Sequence, residues 1–132
     1  MTPAVDPREA LGARLGHPFQ DPLLLREALT HRSFAHENPG NLDNERLALL
    51  GDAALSLVVA ERLLAIAPDE PVGVLTPRRA ALVSGESLAR PARGVGLGAH
   101  LLLPAPEAVL GVIFREGGLE ACGRAVALLA VW

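Results

Sequence analysis

Lysine and tyrosine are both absent from these 132 residues, and there is a single cysteine, Cys122. One cysteine excludes an internal disulfide and fits a reducing compartment. Aromatic residues make up 3% of the chain. A core without aromatic bulk has to be built from Leu, Val and Ala, which favours helices packed on helices. All twelve basic residues are arginine and the net charge is −3. A protein held to nucleic acid by non-specific attraction is usually basic, so any affinity for phosphate here must come from a local patch. No stretch of about eighteen apolar residues is free of charges and helix breakers, which excludes a membrane span. The first residues, MTPAVDPREALGARLG, contain acids and no continuous apolar run, so they do not read as a signal peptide. The expected location is cytoplasmic. The segment Gly94–Gly98 (GVGLG) lacks the GxGxxG spacing and follows no strand, which removes a phosphate loop. His17, His36 and His100 show no metal-ligand spacing, and turn or surface positions are expected for them.

What is present is apolar and helical in period. Hydrophobic residues account for 50% of the chain, enough for a folded core. Residues 1–7 hold two prolines and read as a loose arm, and residues 8–132 as one domain. A short helix is expected over Arg8–Leu15, stopped by Gly16. Asp21-Pro22 reads as an N-cap followed by proline at the first helical position, opening a helix to about Thr30. His31–Asp43, with Asn38-Pro39-Gly40-Asn41, reads as a loop. A long helix follows from about Asn44 to Ala67. Leu47, Leu50, Ala54, Leu55, Val58, Val59, Leu63 and Ile66 keep helical spacing, and the helix is expected to be buried on most sides. Asp69–Leu75 reads as loop, and Thr76-Pro77 as the cap of another helix ending near Gly85. A shorter helix is expected from Ser87 towards Arg93, kinked by Pro91. Another runs from Pro106 to Phe114, Gly117-Gly118 breaks it, and a last one runs from Leu119 towards Trp132. The fold class is all-α.

Three segments carry a resemblance: LTHRSFAHENPG (Leu29–Gly40), NERLALLGDAAL (Asn44–Leu55) and EAVLGVIFREGGLEAC (Glu107–Cys122). Together, in order and spacing, they resemble the ribonuclease III family of magnesium-dependent endonucleases for double-stranded RNA. LGHPFQDPLLL and LTPRRAALVSGESLARPARGVGLGAHL add weaker matches, so the resemblance covers nearly everything from Leu15 onward. It implies an all-helical domain that forms a symmetric dimer through the NERLALLGD helix, with an RNA duplex held in the cleft between the two copies.

The resemblance also implies a cluster of acids that holds magnesium. Glu45, Ala48 and Asp52 sit at i, i+3 and i+7, on one helical face. Asp52 matches a family ligand, and Glu45 matches a family glutamate nearer the interface. Ala48 stands where the family has a glutamate ligand. On the second helix Glu107 matches a ligand, while Pro104 stands where the family has aspartate. No Asp or Glu lies between Glu86 and Glu107 to replace it. A further acidic position of the family falls on Val72. Two of four expected ligands are therefore missing, leaving Asp52 and Glu107 to hold Mg2+ weakly or not at all. Either acid could equally serve structure, since a carboxylate buried beside Gly51 would need a partner such as Arg46 or Arg32.

Arg32 and Ser33, in the THRS element, could contact RNA phosphate or could cap a helix end. Arg78 and Arg79, with Arg90 and Arg93, form the densest basic stretch. They fit phosphate contact or a solvated helix face. Leu47, Leu49 and Leu50 are the candidate dimer contacts. Full-length bacterial members carry a separate double-stranded RNA-binding domain after the nuclease domain. This chain stops at Trp132, which points to weak RNA binding on its own. The expectation is thus a dimeric, catalytically impaired or inactive ribonuclease III-like domain, a pseudoenzyme that binds structured RNA, a ribosomal particle or a protein partner. Two alternatives stand beside it: a compact magnesium-dependent double-stranded RNA endonuclease in RNA processing, and a regulatory partner of an active ribonuclease III.

Overall fold

The computed structural model describes residues 7–40, 42–83 and 105–129. Within them the chain is helical throughout, with no strand. The elements are α1 (Pro7–Leu15), α2 (Pro22–Ala28), α3 (Arg32–Glu37), α4 (Glu45–Ile66), α5 (Val72–Val83) and α6 (Pro106–Leu129). The segment expected to form a helix from Ser87 to Arg93 lies outside the described residues, as do Pro104 and the glycine-rich stretch 94–98.

Local chemistry explains most boundaries. Gly16 takes φ 64 and ends α1, a left-handed turn that a side chain would resist. Asp21 caps α2 by accepting from the backbone N–H groups of Leu23 and Leu24, at 3.0 and 3.2 Å. Within α6, Gly118 adopts φ 70 and ψ −166, and the helix kinks there. That backbone region is essentially restricted to glycine, so Gly117-Gly118 marks the break its sequence suggests.

Three expectations need correction. The stretch taken as loop from His31 contains α3. His31 caps it, its ring Nδ1 accepting from the Ser33 N–H at 3.1 Å, so a short polar run closes into a helix. Next, α5 begins at Val72 rather than at Thr76-Pro77. The Pro71 carbonyl accepts from Val74 and Leu75 at 2.9 and 3.2 Å, so the helix nucleates one turn earlier and Pro77 lies inside it. Proline there lacks the N–H that would have reached the Gly73 carbonyl. Finally, α4 is not buried on most sides. Leu47, Gly51, Ala54, Leu55, Val59 and Leu63 face the core, whereas Leu49, Leu57 and Leu64 are 77%, 53% and 64% exposed.

The core is the seam between α4 and α6, which share the largest interface. Leu55, Val59 and Leu63 of α4, Val109, Leu110, Val112 and Ile113 of α6, and Leu11, Leu15 and Leu25 of α1 and α2 belong to one buried cluster, and both short helices contact α6. Two glycines set how closely the helices cross. A Cβ on Gly51 would overlap the Glu107 carbonyl oxygen and stand 2.7 Å from the Gly111 nitrogen. A Cβ on Gly111 would likewise overlap the Leu47 carbonyl oxygen and stand 3.0 Å from its carbon. Backbone therefore rests on backbone at this crossing.

Candidate active site at the crossing of α4 and α6

The crossing positions the acids. Asp52 directly follows Gly51, and the Glu107 main chain rests against Gly51. The two carboxylates therefore belong to adjoining turns of neighbouring helices. Asp52 is exposed and Glu107 half-buried. Exposure removes the need for a buried partner at Asp52, correcting that structural reading. Ala48 is half-buried one turn before Asp52, and its side chain brings a methyl group to a face where its neighbours bring carboxylates. Among the described residues, no three His, Cys, Asp or Glu side chains gather as a metal-binding group.

Glu45 lies at the first turn of α4, where its N–H donates to Asp43 Oδ1 at 3.0 Å. Its carboxylate Oε1 is 3.5 Å from Arg32 Nη1, with the two side chains 59% and 74% exposed. An ion pair this exposed contributes little to stability. It does draw the THRS element to the start of α4, and the Asn44 N–H donates to the Thr30 carbonyl at 2.9 Å beside it. Arg32 and Ser33 are both exposed, as are Arg78 and Arg79 on α5. Of the three candidate dimer leucines, Leu47 turns into the core, Leu50 is half-buried and Leu49 is exposed.

Sequence reasoning missed one polar centre. His17, expected in an exposed turn, is 4% exposed. Its Nε2–H donates to Glu116 Oε1 at 2.8 Å, and the Glu116 side chain is itself 7% exposed. The same carboxylate accepts from the backbone N–H groups of Gln20 and Asp21, at 3.2 and 2.8 Å. One buried acid thus ties the α1–α2 turn to the last turn before the α6 kink. His17 also meets Phe19 edge-on, with ring centroids 4.9 Å apart. The signal was thin: a histidine before proline reads as surface, and only the left-handed turn at Gly16 sends it inward. Cys122, by contrast, is the buried core residue its sequence context suggests, and burial pushes its thiol from 9.0 up to about 11.

Comparison with known proteins settles the family. A model of the ribonuclease-III-like family matches residues 21–111, a span that contains α2 through α5 and the first part of α6. The chain belongs to the ribonuclease-III-like family. Ribonuclease 3 of Symbiobacterium thermophilum is 44% identical over 85% of this chain and 54% of its own length. Ribonuclease 3 of Nitrosococcus oceani is 40% identical over 94% of this chain and 58% of its own. The chain thus spans little more than half the length of these curated relatives. The fold agrees as well. A crystal structure of the nuclease domain of ribonuclease III from Campylobacter jejuni superposes with a TM-score of 0.74 at 35% identity, covering 95% of both chains. A second structure of that domain, described for flexibility in the region involved in its dimer formation, superposes at 0.75 and 36% identity over 92% of this chain and 94% of that one.

Proposed function

We propose that this chain is a ribonuclease III-type nuclease domain that acts on double-stranded RNA as a dimer, with its magnesium site reduced to two protein carboxylates. The observation that carries this reading is the glycine crossing, which holds Asp52 and Glu107 on adjoining turns of α4 and α6. The name shared by relatives of 40–44% identity supports the endonuclease alternative over the inactive binding protein favoured from sequence. Asp52 and Glu107 fit two positions of an oxygen-ligated Mg2+, an ion that readily keeps several waters. When bound, magnesium would supply an activated water and neutralise charge on the scissile phosphate. Asp52 and Glu107 orient the site, and the methyl of Ala48 leaves one ligand position to solvent. Loss of such a positioning contact lowers rates by about 100-fold or more, so slow turnover is expected.

The dimer reading rests on α4. Its outward leucines, Leu49, Leu57 and Leu64, form an i, i+8, i+15 apolar stripe too long for an isolated surface helix to leave in water. Leu49 supplies the contact expected of the three candidates.

The test is cleavage of long duplex RNA by the pure chain with magnesium or manganese. Slow, metal-dependent cutting should disappear in Asp52→Ala and Glu107→Ala, and should rise about tenfold or more in Ala48→Glu. Duplex binding without cutting under either metal would return the chain to a purely binding role.

A further inference from the structure

We propose that the groove between α1, α2 and α3 docks an acidic amphipathic segment of a protein partner. The groove has a volume of about 630 Å³. Its floor is apolar: Leu25 is 3% exposed, while Leu29 and Phe34 remain 40% and 49% exposed. Phe34 lines the groove because α3 forms at all. The His31 cap turns a polar stretch into a helix and carries an aromatic ring to the edge of α2.

The charges around the groove select the occupant. Arg8 and Arg26 line it, the neutral His31 ring lies beside them, and among the described residues no carboxylate lines it. In a chain of net charge −3, this cationic rim on an apolar floor complements a segment carrying leucine-like anchors flanked by Glu or Asp. RNA is the poorer fit. The floor offers phosphate nothing, and one aromatic ring cannot stack successive bases. The groove does not include Ala48, Asp52 or Glu107, so its occupant need not compete with a substrate at the acids.

Fluorescence polarisation of the full chain tests this with three labelled probes. The first is a helical peptide of about sixteen residues with leucines on one face and glutamates on the other. The second carries lysine for every glutamate, and the third is a short RNA duplex. The glutamate peptide should bind at micromolar concentration and the lysine peptide at least about tenfold more weakly. Arg26→Glu and Phe34→Ala should each weaken the glutamate peptide by about tenfold or more. Both side chains are exposed, so the circular dichroism of the variants should match the parent. The proposal is overturned if neither peptide binds, if both bind equally, or if the two substitutions change nothing. It is also overturned if duplex RNA displaces the peptide and loses affinity in Arg26→Glu, which would assign the groove to RNA.

Discussion

Replacing Gly51 by alanine puts the crossing of α4 and α6 to a direct test. The new Cβ would stand 2.6 Å from the Glu107 carbonyl carbon and 2.7 Å from the Gly111 nitrogen, and would overlap the carbonyl oxygen. All of these are main-chain atoms, with no rotamer to retreat into. The helices must separate by roughly 1–2 Å, and overpacking of this kind costs about 1–3 kcal/mol, more when backbone moves. Alanine in a helix interior gains about 1 kcal/mol over glycine, which offsets part of the penalty. At the upper end of that range, which applies because only main chain can give way, the expected net loss is about 2 kcal/mol, a sizeable share of the 5–15 kcal/mol typical of a domain. Urea unfolding followed by circular dichroism reads it. Gly123, in the second half of α6 with nothing within 4 Å of its would-be Cβ, supplies the control: Gly123→Ala should stabilise by about 0.5–1 kcal/mol. Equal stabilisation by both substitutions would refute the close crossing, and with it the placement of Asp52 beside Glu107.

Two further predictions concern buried groups. Glu116→Ala strips His17 and two backbone N–H groups of their acceptor, and should cost about 2–4 kcal/mol in the same unfolding assay. A loss under about 0.5 kcal/mol would mean the pair is solvated in solution. The Cys122 thiol, raised to about 11 by burial, should resist a disulfide reagent in the native chain and react at once in denaturant. Because the folded thiol keeps its proton longer than the unfolded one, its contribution to stability is complete below about pH 9. It is lost as pH rises from 9 towards 11. Stability that stays flat across that window in the parent, relative to Cys122→Ala, would contradict the burial effect.

Much of the fold could be read from residue pattern, and the exceptions share a cause. The helical spacing of Leu47 through Leu63 located α4 within a residue at each end, and Asp21-Pro22 and Gly117-Gly118 marked real boundaries. Periodicity could not say which apolar positions of α4 stay outside a single chain, because Leu57 and Leu64 keep helical spacing as faithfully as the core leucines do. Pro77 misled because proline after threonine suits a first turn, yet the carbonyl of Pro71 had already started α5. His17 and Glu116, 99 positions apart, carry no local mark of their pairing. For the site, the signature motifs singled out Asp52 and Glu107 as candidates, and the adjoining of their helical turns depends on two glycines whose value is visible only across the helix seam.

Because that seam joins main chain to main chain, the close approach of α4 and α6 does not depend on the exposed side chain at position 52. Asp52 is exposed, so its carboxylate is spare to the framework, whereas Ala48 is half-buried and rests in part against the core. At position 52, then, the acid and the helix crossing are separable, and a change of side chain there leaves the backbone contact of Gly51 with Glu107 in place.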